Sequence, residues 1–442
     1  MAYTGFVVKV TQLRKHSNAD RLQVATFFGN DTIVDLSVQL GDVGIYFPSD
    51  GQLSEEYCEY NNLVRKKDEN GNNIGGYMEP GKRNIKAIKL RGEKSDGLYM
   101  PLSSLDYIED VLLNVGDKVD VVNGHEICCK YIPRTNSHGH RNLGNKTRKK
   151  KVLISPLFIE HADTEQLNYN LGVFKPGDEI EITLKMHGTS QRTGYLPVLK
   201  GFKRSLLDIL FKREGTPVYD WGYVTGTRRT VIDSYNGGFY GSNQFREQHA
   251  RFFEGKLFKG EEVYYEVVGY VDESTPVMPR GNNSKVDKEF VKKYGDITTF
   301  SYGCEPGESK AYVYRMTMTN EDGDVVEYTP DFMRYRCEQM GANAVPEFTK
   351  FIIPDIEYWD ASKGEELTVG DFVKDTAEEY IDGPDPIGKT HVREGVVVRI
   401  VNRPKFCAYK SKNFSFKVLE GIIKDSSSVP DMEEAQEVLD EQ

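Results

Sequence analysis

Lys185-Met186-His187-Gly188-Thr189-Ser190, entered from Glu179-Ile180-Glu181-Ile182-Thr183-Leu184, is the stretch on which the reading of this chain turns. Apolar and polar residues alternate from Ile180 to Leu184, which predicts a half-buried strand delivering Lys185 to its end. Gly188 permits a tight change of direction, and Thr189 and Ser190 bring hydroxyls beside the amine. A lysine so placed can act as a nucleophile where burial or neighbouring cations favour the neutral amine. Alone, such a tetrapeptide more often marks an ordinary strand end. The partners offered by the rest of the chain decide between the two.

Working outward, 442 residues predict two domains with ample length for a core. An apolar content of 38% and a charged content of 28% describe a soluble globular protein. The net charge of −11 gives no overall attraction to nucleic acid, so a polyanion site must be a local basic surface. Six cysteines are scattered without a Cys-x-x-Cys pair, which argues against a zinc ribbon or disulfide framework and for a reducing compartment. The first residues lack the pattern of a signal peptide, and no apolar run reaches the length of a membrane span. The expected setting is the cytoplasm, without a membrane partner and as a monomer.

Residues 1–128 read as short strands joined by glycine-rich turns, among them Phe6–Val10, Leu22–Phe27 and Thr32–Leu36, which suggests a small closed barrel. The run Arg83 to Gly92 alternates and lines one face with cations, a pattern suited to a phosphate backbone or to an ordinary solvated face. Residues 129–151 form a linker with Arg141, Lys146, Arg148, Lys149, Lys150 and Lys151, either a nucleic-acid contact or a solvated hinge. Residues 152–424 mix helix and strand, with one or two helices within Ile154–Leu171 and a helical, irregular region over 331–390. The basic stretch 197–220 around Leu206-Leu207-Asp208-Ile209-Leu210-Phe211 is a lid, a nucleic-acid clamp or a peripheral helix. Residues 425–442 form an acidic tail that reads as disordered or loosely helical.

Two acids, Glu266 within the strand Glu262–Tyr270 and Glu394 before Val396-Val397-Val398, sit in apolar strands where an unpaired carboxylate is costly. Lys185, Arg228, Lys410 and Lys412 stand at other strand ends. In this order the set resembles the covalent nucleotidyltransferase superfamily of RNA ligases, DNA ligases and capping enzymes. The Lys-x-Asp/His-Gly nucleophile motif is matched by Lys185 to Gly188, and the arginine motif by Thr227-Arg228. Tyr265-Glu266-Val267 matches the acid strand, and Ala311-Tyr312-Val313-Tyr314 the aromatic strand. Glu394-Gly395-Val396-Val397 matches the second acid motif, and Lys410-Ser411-Lys412 the final Lys-x-Lys. The histidine variant, Thr189 and Asn413 resemble RNA ligases most. Arg315 stands where many relatives carry an acid, so either Tyr312 or Tyr314 could be the stacking residue. His16 to Leu22, Gly41-Asp42-Val43 and Ile88 to Leu98 are similar to the N-terminal OB module of the nick-sealing RNA ligase branch. Only thirty residues follow Lys412, whereas DNA ligases and capping enzymes place an OB fold there.

The resemblance implies an α+β protein, an N-terminal OB-like β-barrel followed by an adenylyltransferase domain of ATP-grasp-like antiparallel sheets with helices. It implies an ATP-dependent RNA ligase in three steps: Lys185 takes AMP from ATP, AMP passes to a 5′-phosphate, and a 3′-hydroxyl displaces it. Lys410 and Lys412 would favour the neutral amine and hold charge on the α-phosphate. Glu266 would bind a ribose hydroxyl, with Glu394 and Glu266 as candidate ligands of Mg2+ or Mn2+, and Tyr312 would stack on adenine. Gly188 would border the nucleotide, Arg228 would contact ribose or the end phosphate, and His187 would orient the AMP. The expected partner is a nicked duplex containing RNA. The alternatives are repair of broken single-stranded or tRNA loops, and a catalytically inactive nucleic-acid-binding protein. Gly383-Pro384-Asp385-Pro386-Ile387-Gly388-Lys389-Thr390 also fits the P-loop expression, but a helix is expected before it and a strand after it. Pro384 and Pro386 remove two donors that a phosphate cradle needs, so it reads as a chance match.

Overall fold

The computed structural model describes residues 3–133, 154–161, 164–228, 231–232, 235, 244–355, 358–360 and 365–426. The basic linker from residue 134 onward and the acidic tail beyond 426 therefore lie outside the described residues. The chain divides into two compact units. One comprises Asn136–Arg280, Ile297–Lys412 and Asp431–Gln442, and the other Met1–Thr135, Gly281–Asp296 and Asn413–Pro430.

Two large sheets dominate the larger unit among the described residues, beside the small hairpin Tyr358–Asp360 with Glu365–Leu367. The strands of the two sheets are β1 (Glu165–Gln166), β2 (Glu179–Lys185), β3 (Thr189–Lys203), β4 (Thr216–Gly226), β5 (Glu261–Gly269), β6 (Ser309–Thr319), β7 (Val325–Glu327), β8 (Asn343–Ala344), β9 (Glu347–Ile352), β10 (Gly395–Ile400) and β11 (Ala408–Lys412). The first sheet has the order β1-β11-β10-β2-β9, and the second β4-β3-β5-β6-β7 with β8 beside β6. In the first sheet Ile180, Ile182, Val396, Val398 and Ile400 pack against Leu167, Phe174 and the helix Val369–Ile381, whose Val373 and Ala377 are fully buried. The intervening positions of β2 are buried too, since Glu181 is 3% and Thr183 8% exposed. The strand is thus buried on both sides, and not half-buried as its alternation suggests. Its polar residues face protein groups, with Glu181 paired to Arg334.

Among its described residues Ile154–Leu171 forms no long helix. It contains β1 and the single 3-10 turn Leu167–Tyr169, with a second such turn beginning at Leu171. The region 331–390 has the helices Pro330–Met340 and Val369–Ile381, and also β9, which its sequence pattern does not announce. The basic insert is the far end of the β3–β4 hairpin, capped by the helix Leu206–Leu210. Ser205 and Asp208 make a capping box there.

In the smaller unit, Gly5–Lys9, Val43–Phe47, Leu98–Pro101 and Lys118–Val119 make a four-stranded sheet, and Leu13–Lys15, Leu22–Phe27 and Asn30–Asp35 a three-stranded one. Among the described residues these are separate sheets and no closed barrel is found, a departure from the sequence expectation. The cationic run condenses to a short hairpin, Ala87–Leu90 with Glu93–Asp96. The helices Lys288–Tyr294 and Phe414–Ser426 belong to this unit, held by Lys89 Nζ to Asp287 at 3.1 Å and Lys417 Nζ to Asp96 at 2.5 Å. No helix among the described residues is long and apolar enough to cross a membrane.

The larger unit buries several ion pairs, among them Glu261, 0% exposed, with Arg336 at 2.8 Å. Tyr328 Oη also donates to Glu261, at 3.0 Å. Removing the carboxylate strands a buried guanidinium. Glu261→Ala is expected to destabilise the protein by about 3–5 kcal/mol, read as a lower urea midpoint.

Candidate active site

Lys185 ends β2 opposite Gly395 of β10, and Gly395 in turn faces Lys412 of β11. Three adjacent strands therefore bring two ammonium groups to one face of the sheet. Gly395 makes this possible: its φ is +152°, and a Cβ there would lie 2.0 Å from the Ser411 carbonyl oxygen. Just before it stands Glu394, 2% exposed. Lys185 Nζ lies 2.6 Å and Lys412 Nζ 3.4 Å from the same carboxylate oxygen. His187 Nδ1 is 3.8 Å from the other. A buried carboxylate is tolerable only when paired, and here two cations share it. Lys410, two residues before Lys412, points to the same side of β11.

After Lys185 the chain crosses to the second sheet. A Cβ at Gly188 would sit 2.4 Å from the Val267 carbonyl oxygen and 2.9 Å from Glu266 Cγ, so the turn needs a glycine to lie against β5. Ser190 then pairs with Glu266, and Glu266 with Tyr312. The phenol of Tyr302, 1% exposed, carries the proximity of the acids: burial first, and then Glu394, Asp385 and Glu266, hold it well above its ordinary range. Both motif acids thus flank Lys185-Met186-His187-Gly188.

A bulge in β6 settles how the two tyrosines stand. Tyr264 pairs with Arg315 and Tyr265 with Val313, which leaves Tyr314 as the extra residue. Tyr314 Oη lies 3.2 Å from Ser190 Oγ, and its ring is 5.7 Å from that of His161. Tyr312 is 8% exposed, and burial pushes its phenol up to about 12.

Beyond these groups lies a charged floor. Arg192 and Glu262, each 1% exposed, pair at 2.8 Å. Arg315 is bound to Glu327 and donates to His161 Nδ1 at 2.7 Å. Arg399 of β10 donates to the Tyr328 carbonyl at 2.8 Å and lies 3.8 Å from Glu327, which ties the first sheet to the second. Burial, reinforced by Arg315, Arg228 and Arg192, holds the His161 imidazole far below its ordinary range and therefore neutral. Its backbone N–H donates to the Arg228 carbonyl at 3.4 Å.

The structure therefore joins Lys185, His187, Glu394 and Lys412 directly, sets Glu266 against Gly188, and puts Lys410 on the same face. Arg228 lies beside His161. Sequence reasoning missed His161, Arg192, Glu327 and Tyr302, and gave Glu262 and Arg315 no role. Glu262 had a signal, since it shares one face of β5 with Tyr264 and Glu266, but its partner Arg192 depends on strand register. Gly383 to Thr390 is no phosphate cradle. Asp385, 0% exposed, accepts the backbone N–H groups of Ile387, Gly388 and Lys389, and the strand Gly395–Ile400 follows.

No family model matches the chain, and no curated protein does. Solved structures do. An RNA ligase of Naegleria gruberi with PPi is 15% identical, covers 93% of this chain and 97% of its own, and has a TM-score of 0.54. A variant of that ligase with ATP and Mn is 14% identical at TM-score 0.54, covering 93% of this chain and 98% of its own. Another with AMP and Mn is 14% identical at TM-score 0.54, covering 93% and 97%. At such identities the likeness is one of fold: the chain is built, over nearly its whole length, like an RNA ligase.

Proposed function

We propose that this protein is an ATP-dependent RNA ligase that carries AMP on Lys185. The observation that supports it most is the Lys185–Glu394–Lys412 cluster, 2.6 and 3.4 Å between partners, on a fold shared with a ligase solved with ATP and Mn. Two ammoniums and one carboxylate leave one net positive charge, suited to a polyphosphate. Lys185 would leave its ion pair to attack as the amine, with Lys410 and Lys412 beside it on the same sheet face. Its nitrogen would bond to the α-phosphorus of ATP as the bond to the pyrophosphate oxygen breaks. The same two lysines would then balance charge on the phosphate, since positioning and charge neutralisation carry most phosphoryl-type transfers.

Among the described residues no group of three or more His, Cys, Asp or Glu could hold a metal. Glu394, with its buried carboxylate oxygens, fits a hard cation that keeps most of its shell as water and phosphate, and Glu266 is the second candidate. Such a cation, when bound, would supply charge against the phosphates. Glu266 and Ser190 would meet the ribose, Gly188 would border it, and His187 would steady the AMP. For the base, the bulged, partly exposed Tyr314 suits stacking better than the more deeply buried Tyr312. Arg228, beside His161, would reach ribose or the end phosphate. The first 128 residues would serve as a nucleic-acid-binding module, with residues 152–424 carrying the chemistry. The substrate would be a nick in a duplex containing RNA.

Incubation with α-labelled ATP and Mn2+ or Mg2+ tests the reading. The protein should become covalently labelled, Lys185→Ala should not, and the label should chase into product only with nicked duplex. Label on Lys185→Ala would overturn the assignment. Lys412→Ala is expected to slow labelling about 100-fold, as for loss of one charge-stabilising group, measured in single turnover. Tyr314→Ala should raise the KM for ATP about tenfold, and Tyr312→Ala by less, in steady-state assays of labelling.

A further inference from the structure

The P-loop look-alike has a place in the fold that the proposed chemistry leaves unexplained. Asp385 gathers three backbone N–H groups and folds residues 385–389 into a compact loop. Gly388 lets that loop lie directly on the chain at Tyr302: a Cβ there would be 2.4 Å from Gly303 N and 2.7 Å from the Tyr302 carbonyl carbon. His391, 0% exposed, closes the same wall. Its ring meets that of Tyr302 edge-on with centroids 4.5 Å apart and that of Phe300 at 5.2 Å, and its Nδ1 lies 2.9 Å from the Val392 carbonyl oxygen.

From this wall two groups reach the nucleophile motif. Tyr302 Oη accepts the backbone N–H of His187 at 2.7 Å. Phe300 sets its ring edge-on against the His187 imidazole, with centroids 4.6 Å apart. Both are almost fully buried, at 1% and 2% exposure, so neither can reach a large ligand without disrupting the core.

We infer that Tyr302, seated by the Asp385–His391 loop, is a positioning residue that fixes the backbone at His187 and, through it, the direction in which Lys185 presents its amine to Glu394. The loop with the phosphate-binding signature serves the lysine motif as a buttress. It forms no backbone cradle for a phosphate, because the N–H groups of Ile387, Gly388 and Lys389 are spent on Asp385. A hydrogen bond this close to a reacting group matters through geometry: small misplacements cost rate when binding is unchanged.

The inference rests on the ligase reading for its rate consequence but not for its contact, and the test separates the two. Tyr302→Phe removes the hydroxyl and keeps the ring. Hydrogen exchange of the full-length protein without ATP, read on peptides covering residues 185–190, should show the His187 amide exchanging about tenfold faster. Single-turnover labelling of Lys185 should slow about tenfold, with the KM for ATP within twofold and the thermal midpoint unchanged. Gly388→Ala, which must push the loop off Gly303, should show the same faster exchange at His187 and slower labelling, with a lower thermal midpoint from the backbone clash. Unchanged exchange at His187 in Tyr302→Phe overturns the inference, and so does faster exchange with labelling at the wild-type rate. A rate loss in Tyr302→Phe matched by a fall in its thermal midpoint also overturns it, by reducing Tyr302 to a core residue. If the wild-type protein takes no label, the ligase reading fails, and the exchange result alone decides whether Tyr302 holds the motif.

Discussion

A carboxylate buried beside two ammonium groups is the constraint from which the rest of the larger unit can be understood. Glu394 at 2% exposure would be prohibitive alone, and its pairing with Lys185 and Lys412 makes it stable. That pairing demands three strands in strict register and a residue without a side chain between the two lysines. Gly395 meets the second demand, since a Cβ would collide with the neighbouring strand. The apolar face behind, Val396, Val398, Ile180 and Ile182 against the helix Val369–Ile381, holds the register, because a one-residue slip would turn the charges into the core.

The same reasoning extends inward. Arg192 with Glu262, and Arg315 and Arg399 with Glu327, form a buried ionic floor. Such networks seldom add net stability over apolar packing, so their presence argues for fixed polarity where the sheets approach one another. Neutral His161 sits between that floor and the Tyr314 ring, and presents a hydrogen-bonding and stacking surface that carries no charge of its own.

Much of this was legible in the residue order, and the reasons for the remainder are physical. Lys185 at a strand end, Glu394 before a valine run and Lys412 at an i,i+2 spacing from Lys410 are local patterns. Their meeting is non-local, yet the ordered set pointed to it. The Glu181 side of β2 misled, because alternation signals two faces without saying that the polar face is solvated. The bulge that puts Tyr314 beside Ser190 depends on pairing between β5 and β6 and leaves no local mark. The closed barrel expected for the first 128 residues rested on strand count and turns, and neither specifies closure.

Residues 383–390 show how a motif can be right as a pattern and wrong as chemistry. A phosphate cradle works because consecutive backbone donors point outward at the start of a helix, where dipole and N–H groups act together. Here Pro384 and Pro386 lack donors, Asp385 consumes those of Ile387, Gly388 and Lys389, and no helix follows. The glycine that would have cradled phosphate instead allows close contact with Gly303. The relevant quantity is where each N–H group ends up. With the N–H groups of Ile387, Gly388 and Lys389 turned onto Asp385, the loop offers no backbone cradle, and its rigidity is available to the chain it packs against.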